Sequence, residues 1–169
     1  MLRLQITKAP HRLNIPGHLV ETGEPVLGLH LWNEHVPPIP PDGPNVAWAK
    51  KVQRAFVNSL QAAAKYIASN STLSDRRAVG GATILLYAGV HTGGIKLMKR
   101  LGFTVMPYQN RLGRYGEFWE NFYSWLLVWA YNPGGLHSRN FKLFRRGEIW
   151  MATDAFINQY SRDSEPAPE

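Results

Sequence analysis

Two histidines, each near the downstream end of an apolar run, have the surroundings that acid–base or anion-binding chemistry needs. His30 lies in VLGLHLWNEH and His91 in VHTGGIKLMKR. In open α/β sheets ligands bind beyond the carboxyl ends of strands, so neighbouring strands would carry both imidazoles to one site. There His30 or His91 would act as general base, Glu34 would act as base or orient the imidazole, and Asn33 would bind ligand. His30 and His35 are five apart and do not follow the H-E-x-x-H spacing, so they form no local metal motif and no metal is expected.

After His91 come Thr92, Gly93 and Gly94, a helix start with Thr92 as its cap. Unpaired amides and the positive end of a helix dipole suit an anion there, with Arg100 placed to neutralise developing charge. The plainer readings are a structural histidine at a strand end and a Gly-Gly pair that serves packing. The chain has no cysteine, which excludes thiolate metal sites, disulfides and cysteine nucleophiles. It has no G-x-S-x-G elbow and no acidic pair in a glycosidase context. Nothing in the sequence identifies a cofactor.

The elements that must position these residues are legible from periodicity. The stretch from Val79 to Val105 reads as a strand, a tight turn at His91–Gly94, a short helix through Leu101 and a second strand from Phe103. Leu2, Leu4 and Ile6 alternate with polar residues as a first strand. His18–Glu21 and Val26–Trp32 flank Thr22-Gly23-Glu24-Pro25 as the arms of a hairpin or reversal. Five prolines between Val36 and Pro44 make a stiff connection. Asn45 then caps a long helix to about Ser69, with Trp48, Val52, Phe56, Leu60, Ala63 and Ile67 as its apolar stripe.

The segment EFWENFYSWLLVWAYN is a helix apolar on nearly every side, hence buried or facing a membrane or partner. A last hairpin pairs Phe141–Phe144 with Glu148–Met151, and a closing helix capped by Thr153 or Asp154 reaches Tyr160. The expected fold is α+β: a single domain over residues 1–161 with a mixed sheet of about five to seven strands, the long helix and the aromatic helix packed on it. Residues 162–169 are expected to form a disordered tail.

The net charge of +7 is concentrated between Gly43 and Gly116, where Lys50, Lys51, Arg54, Lys65, Arg76, Arg77, Lys96, Lys99, Arg100, Arg111 and Arg114 face Asp75. Such a bias favours an anionic partner, and a solvated basic surface is the competing reading. No aromatics interleave the basic residues as in an RNA-recognition motif, which disfavours nucleic acid. The longest apolar run, Phe122–Tyr131, is about half of the roughly 20 residues a spanning helix needs. A cytoplasmic protein, soluble or peripheral to a membrane, is therefore expected.

Two resemblances add to this reading. GVHTGGIKLMKRLGF is similar to the last conserved segment of the GCN5-related acetyltransferases, and Arg77 to Ala82 mimics their R-x-x-G-x-A cofactor loop. The order of elements differs, because here a strand follows the loop at once. Over nearly the whole chain the sequence resembles the YkoP-like domain family. The shared features are Gly23 before the strand of His30 and Asn33, a long helix, His91 before Arg100–Phe103, an aromatic segment, and Glu148–Met151 before a helix with Tyr160. That resemblance implies a small bacterial accessory domain in a cell-envelope context, without the metal-binding pattern of the deacetylases to which some members are joined.

The expected partner is an anionic ligand: a phosphorylated sugar, a lipid headgroup or a membrane surface. Two alternatives stand beside it. One is a transferase or hydrolase with a histidine base. The other is a subunit that docks on a larger protein complex through the aromatic helix.

Overall fold

The computed structural model describes residues 1–31, 35–43, 45–83, 93–108, 113–131 and 147–161. Its strands are β1 (Leu2–Lys8), β2 (Leu13–Ile15), β3 (His18–Val20), β4 (Pro25–Leu31), β5 (Ala78–Thr83), β6 (Thr104–Pro107) and β7 (Gly147–Ala152). Its helices are α1 (Val46–Ala68), α2 (Ser71–Ser74), α3 (Gly93–Arg100), α4 (Gly113–Tyr131) and α5 (Thr153–Tyr160). Among the described residues five strands form a mixed sheet in the order β1-β4-β5-β7-β6, and β2 and β3 form a separate two-stranded hairpin. The β4–β5 pair is parallel and the other pairs are antiparallel. This is the α+β domain with a mixed sheet that the sequence pattern implies.

Alternation along the strands gives the sheet two different faces. Leu27, Leu29, Val79, Ile149 and Met151 share the first face and pack with Phe56, Leu60, Ala64 and Ile67 of α1, Met98 of α3 and Phe156 of α5. Val26, Ala78, Trp150 and Ala152 share the second, beneath Ala9 and the hairpin residues Leu13, Ile15 and Val20. Strand β7 lies inside the sheet with apolar layers on both sides, so all six of its residues are buried.

The long helix forms where its pattern places it. Asn45 Oδ1 accepts from the amide of Trp48 at 2.8 Å, and the Trp48 indole donates to the Pro37 carbonyl at 3.0 Å, anchoring the proline-rich connection. Helix α3 ends as its sequence suggests. Gly102 takes φ +82°, its amide donates to Lys99 O, and the Phe103 amide reaches back to Met98 O, both at 3.0 Å. The buried Phe103 and Met98 side chains complete this glycine-terminated cap, from which the chain enters β6.

Helix α5 closes the first face. The Tyr160 hydroxyl donates to Leu101 O at 2.6 Å, and burial pushes its phenol from the ordinary 10.0 up to about 12. A folded-state value raised in this way stabilises the neutral phenol fully below pH 10.0, and that contribution is lost as pH rises through about 12. The thermal midpoint is therefore expected to fall over this window, and to fall less in Tyr160→Phe. That variant should start about 1 kcal/mol less stable at neutral pH for want of the hydrogen bond. Melts of the two proteins with parallel pH dependence would refute the assignment.

Some expectations are corrected. His18–Val20 does not pair with Val26–Leu31: β3 pairs with β2 and β4 with β1, because the short Leu13–Ile15 strand supplies the nearer partner. Alternation in LNI is too short to stand out in the sequence. The cap of α5 is Ala152, with no side-chain hydrogen bond, while Thr153 is buried in the first turn. The proposed hairpin arm Phe141–Phe144, the turn at His91 and Thr92, and the expected tail at 162–169 lie outside the described residues.

Candidate functional site

Of the residues expected to carry chemistry, His30 stands on β4, exposed, and is turned to the second face of the sheet. Its Nε2 would lie 3.2 Å from a Cβ added to Gly28, so the ring folds back over that glycine. Gly93 and Gly94 begin α3, and Arg100 is exposed in its last turn. Helix α3 packs Ile95, Leu97 and Met98 against the first face. His30 and the start of α3 therefore belong to opposite sides of the sheet. Asn33, Glu34, His91 and Thr92 lie outside the described residues. Strand β4 lies parallel beside β5, which is described as far as Thr83.

The polar cluster that the described residues do assemble centres on Glu148 of β7. Its side chain is 1% exposed and points to the second face with Trp150. Glu148 Oε2 accepts from the Trp150 indole at 2.8 Å and lies 3.0 Å from His11 Nε2. The Trp150 ring is seated because Gly80 of β5 has no side chain: a Cβ there would lie 2.8 Å from Trp150 Cε3. His11 reaches the acid from the segment that leads into β2, and its ring is 30% exposed.

His11 Nδ1 lies 3.0 Å from the carbonyl of Arg12. Both ring nitrogens thus have an oxygen within hydrogen-bond distance. A ring engaged at both nitrogens orients the carboxylate and offers neither nitrogen to a third group. The other carboxylate oxygen, Oε1, is buried without a hydrogen-bond partner. A buried acceptor left unsatisfied costs roughly 1–3 kcal/mol, and Arg76 Nε and Thr153 Oγ1 are buried without a partner as well.

A second histidine–carboxylate pair fastens the same hairpin. His18 Nε2 lies 3.3 Å from Asp154 Oδ2 at the start of α5. The Ala155 amide, donating to Asp154 Oδ1 at 2.7 Å, holds that carboxyl below its ordinary 3.8, with His18 adding to the effect and partial burial opposing it. This pair is solvent-exposed, and its role is attachment.

The surroundings of Glu148 follow from register. Ala82 of β5 and Met106 of β6 are its Cα partners. Gly28 is the partner of Gly80, so continuing that parallel register by two residues sets His30 level with Ala82. Arg3 of β1 pairs with His30. One row across the second face therefore reads Arg3, His30, Ala82, Glu148, Met106, and Ala82 in its middle is exposed. Sequence reasoning placed Glu148 in a strand and gave it no role. The local signal was a charged residue in the otherwise apolar run E-I-W-M, and its partner lies 137 positions away.

The other conspicuous feature is α4. Tyr115, Phe118, Trp119, Phe122, Tyr123, Leu126 and Trp129 are each between 40% and 69% exposed. They pack on one another, with Phe118–Trp119 and Trp119–Phe122 edge to face at 5.5 and 6.0 Å, and Phe122 stacked on Trp125 at 6.4 Å. The helix is tied at its base by the Tyr108 hydroxyl, which donates to Glu120 Oε1 at 2.8 Å. No helix among the described residues is long and apolar enough to cross a membrane.

Comparison with curated proteins and with solved structures finds no match to this chain. The YkoP domain matches residues 12–160, which takes in the hairpin, the sheet from β4 onward, α4 and α5, and the chain belongs to the YkoP domain family.

Proposed function

We propose that the domain is a peripheral binder of anionic membrane surfaces, with α4 as its interfacial element, in the bacterial cell-envelope context that the family resemblance implies. The exposed aromatic ladder of α4 carries this reading. Trp and Tyr combine an apolar body with a polar tip and prefer the headgroup level of a bilayer, and a continuous apolar patch of this kind is unusual on a monomer surface. Charge complementarity selects the partner. The chain is +7, and Lys96, Lys99 and Arg100 of α3, which precedes β6 and α4 in the chain, are exposed. Each basic residue near an anionic surface contributes about 1 kcal/mol.

Sedimentation with phosphatidylglycerol-containing vesicles tests the proposal. Binding is expected at low ionic strength, with a blue shift of tryptophan emission. It should weaken in 1 M salt, where the Debye length is about 3 Å. Trp119→Ala and Trp129→Ala should each weaken partitioning about tenfold, since returning some 60 Å² of apolar area to water costs about 1.5 kcal/mol. No sedimentation at low ionic strength would end this reading and leave docking on a protein complex as the use of α4.

A further inference from the structure

We propose that the outer surface of the helix layer on the first sheet face, formed by α1, α5 and α3, is the side that the domain lays against anionic lipid headgroups. The choice of a bilayer as occupant rests on the membrane reading of α4, and the surface itself is identified by its charge. Helix α1 carries four lysines and arginines and α3 carries three, and neither helix contains Asp or Glu. Exposed helices ordinarily mix the two signs, because an acid four residues before a base stabilises the helix. Within these two helices no such pair exists.

Their cations are directed away from the sheet. On α1 the buried positions are Phe56, Leu60, Ala64 and Ile67, and at about 3.6 residues per turn Lys51 and Arg54 fall on the opposite side, where both are exposed. On α3 Met98 is buried against the sheet, and Lys96 and Arg100, two positions before and after it, are exposed.

Helix α1 touches β1 and α5, α5 covers β5 and β7, and α3 lies on β6, so α5 runs between the two basic helices. From β1 to β6 the sheet is four strand spacings wide, about 19 Å, which sets the breadth of the surface. The acid of α5, Asp154, is already met by His18 at 3.3 Å.

Charges on the other side of the sheet are arranged differently. Around the hairpin Arg12 meets Glu21 at 3.3 Å and Arg77 reaches Glu24 at 4.0 Å. Among the described residues Lys51, Arg54, Lys96 and Arg100 form no ion pair. An array of one sign repels itself, and an extended anionic surface relieves that repulsion. Cations spread over about 19 Å suit a lipid surface better than a compact anion, which would meet only one ridge.

Double variants with equal loss of charge test the proposal. Lys51→Gln/Arg54→Gln on the helix layer and Arg12→Gln/Arg77→Gln in the exposed pairs of the hairpin each lower the net charge of +7 by two. With phosphatidylglycerol vesicles at low ionic strength, the first is expected to weaken sedimentation about thirtyfold, the factor for two charges at the headgroups, and the second less than about threefold. Lys96→Gln/Arg100→Gln, on the other ridge, should match the first. Equal weakening by the helix-layer and hairpin variants would mean that net charge alone steers the protein and would overturn the proposal, as would a helix-layer variant that sediments like wild type. Either result leaves α4 as the interfacial element. Wild-type protein that ignores the vesicles overturns the membrane reading and this surface together, and its capture by duplex DNA instead would give the surface a different occupant.

Discussion

Gly80→Ala is expected to destabilise the domain by about 3 kcal/mol, a large share of the 5–15 kcal/mol typical of a whole domain. A Cβ at this position would run into the Ile149 carbonyl oxygen and lie 2.8 Å from Trp150 Cα. Both obstacles belong to the backbone of β7, which is hydrogen-bonded to β5 on one side and β6 on the other, so it cannot yield without breaking a ladder. Gly28→Ala is the control. A Cβ there would meet side-chain atoms only: Thr7 Cγ2 at 3.1 Å, His30 Nε2 at 3.2 Å and Gln5 Cγ at 3.4 Å. Small rotations relieve such contacts, and a cost below about 1 kcal/mol is expected. Urea titrations of both variants measure the difference, and a Gly80→Ala midpoint equal to that of Gly28→Ala would disprove the account.

The second large effect is expected at His11. Removing its ring leaves Glu148 buried at 1% exposure with only the Trp150 indole to satisfy it. Breaking a fully buried ion pair costs about 3–5 kcal/mol. The His11 ring is 30% exposed, and water entering its place recovers part of that, so about 2 kcal/mol is expected for His11→Ala. In Glu148→Gln the residue that histidine must satisfy is no longer charged. The double variant His11→Ala/Glu148→Gln should therefore lose about 1 kcal/mol less than the sum of the single losses. Strict additivity in denaturant unfolding would mean that the two side chains are adjacent without interacting.

Helix α1 was readable because its evidence is local: Asn45 at the cap, then Phe56, Leu60 and Ile67 at helical spacing, all buried on one face. The end of α3 was readable for the same reason, the helical spacing stopping at Leu101 before Gly102, which takes a positive φ. The Glu148 cluster was not. Its members come from positions 11, 80, 148 and 150, and only the strand order places β7 beside β5 and under the hairpin. A pattern of alternation reports which residues share a face of one strand and is silent about the strand that lies next to it. His30 is exposed on β4, while its expected partners Glu34 and His91 fall outside the described residues.

The position of β7 in the sheet has a consequence for biogenesis. Strand β7, the last of the described strands in chain order, is threaded between β5 and β6, and it supplies both the floor for the hairpin and the carboxylate that holds His11. Until those residues leave the ribosome, β5 and β6 lack their shared neighbour and the hairpin has nothing to rest on. Contacts so distant in sequence make folding slow and late. A nascent chain that stalls short of Gly147 would present two unpaired strand edges and an unseated apolar hairpin, which is the form of this protein most exposed to proteases and to self-association.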